Sequence, residues 1–397
     1  MRKVLFSFLI LPLLIVSPAA ALTTSDCFDC HSDDSLTKTV GEREVSLYID
    51  EEIYSRSVHG DMDCTDCHED LADVEDEHDE SVEPVECANC HDDTAEEMSP
   101  SVHTGRSGGS GSGLPRCADC HGKHSILPRN DRRSMVFDLN VPATCCACHA
   151  STEAASESGP SPSNVCGEYE DGMHGIVLIR SGLIFSAVCN DCHGSHDIRS
   201  KSDPSSRVAD GNVNATCSSC HTGIVDVFAG SIHGKRLAEG SGDAPICTSC
   251  HSSHATERAM DASFLVTVTD RCSECHPEEA DTFRDTYHGQ VTGMGYAEAA
   301  QCPDCHGAHD ILPGDDPASR VYPDNLPATC GNCHAGANES FTQYLPHADY
   351  HDADRFPQLY YVYLAMVVLL FGVFFFFGIH TLLWFIRAYI EEKGKRA

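Results

Sequence analysis

Apolar residues crowd the two ends of this chain and thin out between them. Tyr360 to Ile386 is almost uninterrupted apolar sequence, and these 27 residues predict a helix of about 40 Å, enough to cross the hydrocarbon of a bilayer with some tilt. At the start, Arg2 and Lys3 precede an apolar stretch, Val4 to Val16, and then Ala19, Ala20 and Ala21. That order marks a secretory signal peptide with cleavage after Ala21. Between Leu22 and Arg355 only 52 of 334 residues are Leu, Ile, Val or Phe, a fraction that normally leaves a charged chain without a core. This middle region predicts short helices and much irregular chain. Glu44 to Ile49 alternates like a short strand, and Ile176 to Ile179 with Leu183 to Val188 predicts a hairpin. The expected organisation is a leader at 1–21, a body at 22–355, a membrane helix at 356–387 and a tail at 388–397.

Charge fixes the orientation. With 26 basic and 61 acidic residues the net charge is −35, which argues against nucleic acid and for basic partners. Tyr360, Tyr361 and Tyr363 fit one interfacial belt and Trp384 the other, while Arg387, Lys393, Lys395 and Arg396 put the tail in the cytoplasm and the body in the periplasm. Glu69 to Glu86 is acidic and reads as a solvated surface, or as a docking patch for a basic carrier. Gly105 to Gly113 reads as a flexible linker and Ser151 to Asn164 as a solvated loop.

The chemistry lies in 24 Cys and 24 His. Twenty-two Cys fall into eleven C-x-x-C-H motifs, the attachment signature of c-type haem. The pairs are Cys27 and Cys30, Cys64 and Cys67, Cys87 and Cys90, Cys117 and Cys120, Cys145 and Cys148, Cys189 and Cys192, Cys217 and Cys220, Cys247 and Cys250, Cys272 and Cys275, Cys302 and Cys305, and Cys330 and Cys333. They are followed by His31, His68, His91, His121, His149, His193, His221, His251, His276, His306 and His334. Two thiols three residues apart reach the two vinyl groups of one porphyrin, and the adjacent His reaches its iron. Zinc knuckles share the C-x-x-C half-site but have no need of a His after every second Cys.

A single motif at Cys27 precedes five repeats of two motifs that begin at Cys64, Cys117, Cys189, Cys247 and Cys302. His59, His103, His174, His233 and His288 each precede a repeat, mostly as Ser-x-His-Gly or a close variant. His124, His196, His254 and His309 follow the first motif His of a repeat by three residues, and His78 takes that place in the first repeat. With His347 closing the upstream series, eleven candidate sixth ligands stand against eleven irons, which predicts bis-His ligation throughout and no open iron. A motif His and the His three residues on cannot flank one flat ring from opposite faces, so the second is expected to serve a neighbouring haem. Cys146 and Cys166 remain, either disulfide-bonded or free. His351 is unassigned. His380, inside the membrane helix, is a candidate for contact with a quinone or b-type haem site on a partner, against a hydrogen-bonded helix contact.

From Cys27 to about His351 the chain resembles a multihaem c-type cytochrome with doubled C-x-x-C-H units. With its tether it is similar to the periplasmic cytochrome c subunit of bacterial quinol-oxidising b/c complexes. The resemblance implies eleven covalent haem c groups, low-potential electron transfer and a mostly helical and irregular fold with little β. It also implies a membrane b-type cytochrome or other quinol-oxidising subunit as one partner and soluble periplasmic cytochromes as another. The rival expectation is a multihaem enzyme acting on nitrite, tetrathionate or hydroxylamine, which requires one open iron.

Overall fold

The computed structural model describes residues 22–41, 43–74, 78, 82–104, 114–150 and 164–396. The leader, the Gly105–Gly113 stretch, most of the 151–164 loop and part of the acidic run lie outside the described residues. Among the described residues short helices and turns dominate, with one antiparallel hairpin that pairs Thr37–Val40 with Arg43–Ser46. The strand expected at Glu44–Ile49 is therefore shorter and shifted towards the turn. The chain forms two compact units: residues up to Thr216 with His254–Thr256, and Cys217–Ser253 with residues from Glu257 onward.

In each repeat the first motif opens a helix of about one turn: Cys64–Cys67, Cys117–His121, Cys189–His193, Cys247–His251 and Cys302–His306. The third helical residue explains why so short a segment is helical. Its side chain accepts the N–H of the residue before the first Cys, at 2.9 Å for Asp66, 2.7 Å for Asp119, 2.8 Å for Asp191, 3.1 Å for Ser249 and 2.7 Å for Asp304. Three of the five helices end on glycine in the left-handed region, with Gly122 and Gly194 at φ +86° and Gly307 at +85°. Ser252 holds the corresponding place at φ +63°. This reversal carries the His that follows two residues later away from its own motif.

Second motifs instead lie at or near the ends of helices, at Val141–His149, Val213–Ser218, Ala262–Ser273 and Leu326–Gly331. Three are preceded by one loop design, D-x2-S-x5-N-x3-T-C, at Asp131–Cys145, Asp203–Cys217 and Asp316–Cys330. Asn212 Nδ2 donates to the carbonyls of Pro204 and Ser206 at 2.8 Å each, and Thr216 Oγ1 donates to the Arg207 carbonyl at 2.7 Å. Asn140 with Thr144, and Asn325 with Thr329, repeat these bonds. Ser134, Ser206 and Ser319 are buried beneath the loops.

Successive repeats are clamped through the backbone. Val58 N–H donates to Ile126 O, Val102 to Ile198, Met173 to Thr256 and Ile232 to Ile311, at 2.8, 2.8, 2.6 and 2.8 Å. Each donor directly precedes an upstream His, and each acceptor lies two residues beyond an inner His. The serine and threonine of the upstream pattern are helix caps: Ser231 Oγ accepts from Gly234 N and Thr286 Oγ1 from Gly289 N. Their glycines are obligatory, since a Cβ would meet Phe228 O at 2.1 Å in one case and Phe283 O at 2.2 Å in the other.

The hairpin expected at Ile176–Ile179 and Leu183–Val188 does not form. Ile176–Arg180 is a single π turn, continuing a helix in which Gly175 packs against the Tyr169 carbonyl, and Gly182 then turns the chain at φ +65°. Leu178 is fully buried with Val141 and Val188, and this cluster is small. Cys146 and Cys166 are disulfide-bonded, joining the helices Val141–His149 and Val165–Asp171. Pro357–Arg396 is one continuous helix, unburied, and long and apolar enough to cross a membrane. It continues through the segment expected as a tail.

Candidate functional site

Imidazole rings face one another in pairs. The motif His and its partner have ring centres 6.0 Å apart for His31 and His78, 6.2 Å for His68 and His124, 6.0 Å for His91 and His59, 6.1 Å for His121 and His196, and 6.1 Å for His149 and His103. The series continues at 6.0 Å for His193 and His254, 5.8 Å for His251 and His309, 6.3 Å for His276 and His233, 6.2 Å for His306 and His347, and 5.9 Å for His334 and His288. These ten pairs each lie within one compact unit. His174 belongs to the first unit and His221 to the second.

The spacing has a simple metric. A metal–imidazole bond of about 2 Å on each side, plus about 1.1 Å from each nitrogen to its ring centre, separates two ring centres by about 6 Å. Each pair therefore has the ring-centre spacing of two imidazoles that share one metal. Burial holds the imidazoles of His68, His103, His121, His124, His193, His233, His251, His254, His288 and His306 below their usual range. They are thereby kept in the neutral form that can ligate. His68 Nδ1 is buried without a partner. Among the described residues no three His, Cys, Asp or Glu converge as a metal cluster, so the motif cysteines do not assemble tetrahedral sites.

Pairing follows a rule. An upstream His faces the second motif His of its own repeat: His59 with His91, His103 with His149, His233 with His276, His288 with His334. An inner His faces the first motif His of the preceding repeat, and His78 faces the leading His31. His347, grouped with the upstream series from sequence, behaves as an inner His: it faces His306, the first motif His of the last repeat. The sequence grouping failed because no later motif marks His347 as belonging to a following repeat.

First cysteines of successive motifs also meet. Cys27 lies beside Cys64, Cys87 beside Cys117, Cys145 beside Cys189, Cys217 beside Cys247, and Cys272 beside Cys302. Cys120 is pushed up by burial and by nearby Cys145 and Cys148, and Cys305 by burial, to about 11, with Cys330 and Cys333 close by. Within each unit the motifs therefore adjoin in chain order.

Among known families, curated proteins and solved structures, nothing matches this chain.

His351 is exposed beside Tyr350 and Tyr363, with Nδ1 3.3 Å from Asp349. His380 lies on the unburied face of the long helix among Phe375, Phe376, Ile379 and Leu383. Sequence reasoning missed the helix-capping aspartates and the Asn-Thr loops. The recurring C-x-D-C-H and N-x3-T-C patterns were the available signals.

Proposed function

We propose that this chain is a membrane-anchored periplasmic cytochrome carrying eleven haem c groups and relaying electrons between a quinol-oxidising membrane partner and soluble periplasmic carriers. The imidazole pairs carry this reading, because each has the ring-centre spacing that two imidazoles sharing one iron would have. The C-x-x-C thiols beside each motif His would hold the porphyrins by thioethers. Bound haem c supplies one-electron exchange between ferric and ferrous iron. The chain's own residues pair the imidazoles, cap the motif helices and bring successive motifs together.

Two imidazoles at every described pair favour a relay over the enzyme reading, since turnover of nitrite, tetrathionate or hydroxylamine would require an iron with a free position. Net charge suits basic soluble carriers. The apolar helix suits a membrane partner, with His380 as the side chain facing it. Electron paramagnetic resonance of the oxidised full chain tests the relay. Low-spin ferric signals throughout are expected, and a stoichiometric high-spin signal would favour the enzyme.

A further inference from the structure

The sixth ligands are not held alike. Upstream histidines sit at the starts of short helices or turns, where the Ser231 and Thr286 hydroxyls cap and glycines press on backbone carbonyls. The inner histidines His124, His196, His254 and His309 are each followed, two residues on, by a carbonyl that accepts the interrepeat backbone bond. His347 has neither device. It is exposed in an irregular segment between the last repeat and the long helix. The carbonyl two residues on, at Asp349, accepts only the local N–H of Asp352 among the described residues. What orients the His347 ring is Nδ1, 3.1 Å from the Glu279 carbonyl and 3.0 Å from Thr282 Oγ1, both on the helix Pro277–Arg284.

We propose that the position opposite His306 is a latent binding site for a neutral diatomic ligand such as carbon monoxide, opened when His347 swings away. Such a site rests on the haem reading above. With haem bound, His347 Nε2 would be released from ferrous iron and the carbon atom of carbon monoxide would take that position, one coordinate bond breaking as one forms, with no electron gained or lost. Nδ1 would keep its proton and give up its bonds to Glu279 and Thr282 as the ring turns away. Release costs little else, because the segment around His347 carries no buried apolar side chain. His309, by contrast, sits on backbone held two residues on by the bond from Ile232 N–H to the Ile311 carbonyl.

The test is carbon monoxide binding to the dithionite-reduced full chain in detergent, followed by the Soret band. The wild type is expected to take up one carbon monoxide per chain, at a rate that levels off with ligand concentration because His347 release limits it. His347→Ala should keep the stoichiometry of one while binding at least tenfold faster. Thr282→Val, which leaves the ligand in place, should bind severalfold faster than wild type. No uptake by the wild type, a second site appearing in His347→Ala, or an unchanged rate in Thr282→Val would each overturn the proposal. Absence of haem from the purified chain would instead overturn the reading on which it rests.

Discussion

The long C-terminal helix and the body before it fail to bury themselves in opposite ways. Pro357–Arg396 has apolar surface in excess and no protein to cover it, whereas the body has many elements and few apolar residues to put between them. Leu178, Val141 and Val188 make its one defined apolar cluster among the described residues. The helix is long and apolar enough for lipid to complete it. Under the proposed haem attachment the body is completed by porphyrins, large flat apolar groups that replace the missing aliphatic core.

The largest expected effect separates the two regions. Expressed without haem attachment, the body should lose most of its far-ultraviolet circular dichroism, while the segment Pro357–Arg396 in micelles keeps its helical spectrum. Persistence of the body's helices without haem would remove the contrast. A finer effect lies within the body, between the two kinds of sixth ligand. His309→Ala should turn one haem in eleven high-spin, that attached through Cys247 and Cys250, whereas His288→Ala should affect that at Cys330 and Cys333. Resonance Raman or electron paramagnetic resonance counts the change, and high-spin signals from several haems would break the pairing rule.

Smaller effects compare the Asn-Thr loops with the helix that replaces them in the fourth repeat. Asn325→Ala strips bonds from two carbonyls and should cost about 1–3 kcal/mol in reversible denaturant unfolding. Arg271→Ala removes bonds to Glu257 and Ser252 at a partly exposed site and should cost about 1 kcal/mol or less. Equal costs would mean that the loop bonds are no more than surface contacts.

Much of this arrangement was legible in the chain. The long helix, the repeats and the sets of candidate ligands follow from residue type and spacing alone. The assignment of an inner His to a neighbouring motif followed from the flatness of the ring it must flank, and His124 facing His68 accords with it. Which neighbour it serves was not legible, because a backbone bond such as Val58 to Ile126 joins segments 68 residues apart without leaving a side-chain signature. The false hairpin at Ile176–Val188 arose because a run of β-branched residues looks the same whether it builds a strand or a π turn under the pressure of a close glycine. His347 was misgrouped for lack of a following repeat.

The most direct measurement is the intact mass of the processed protein from its native host, taken with the haem-to-polypeptide ratio. A shift equal to eleven covalent haems is expected, with a matching pyridine haemochrome count. A mass equal to the bare polypeptide, or one carrying only a few haems, would contradict the haem-built body.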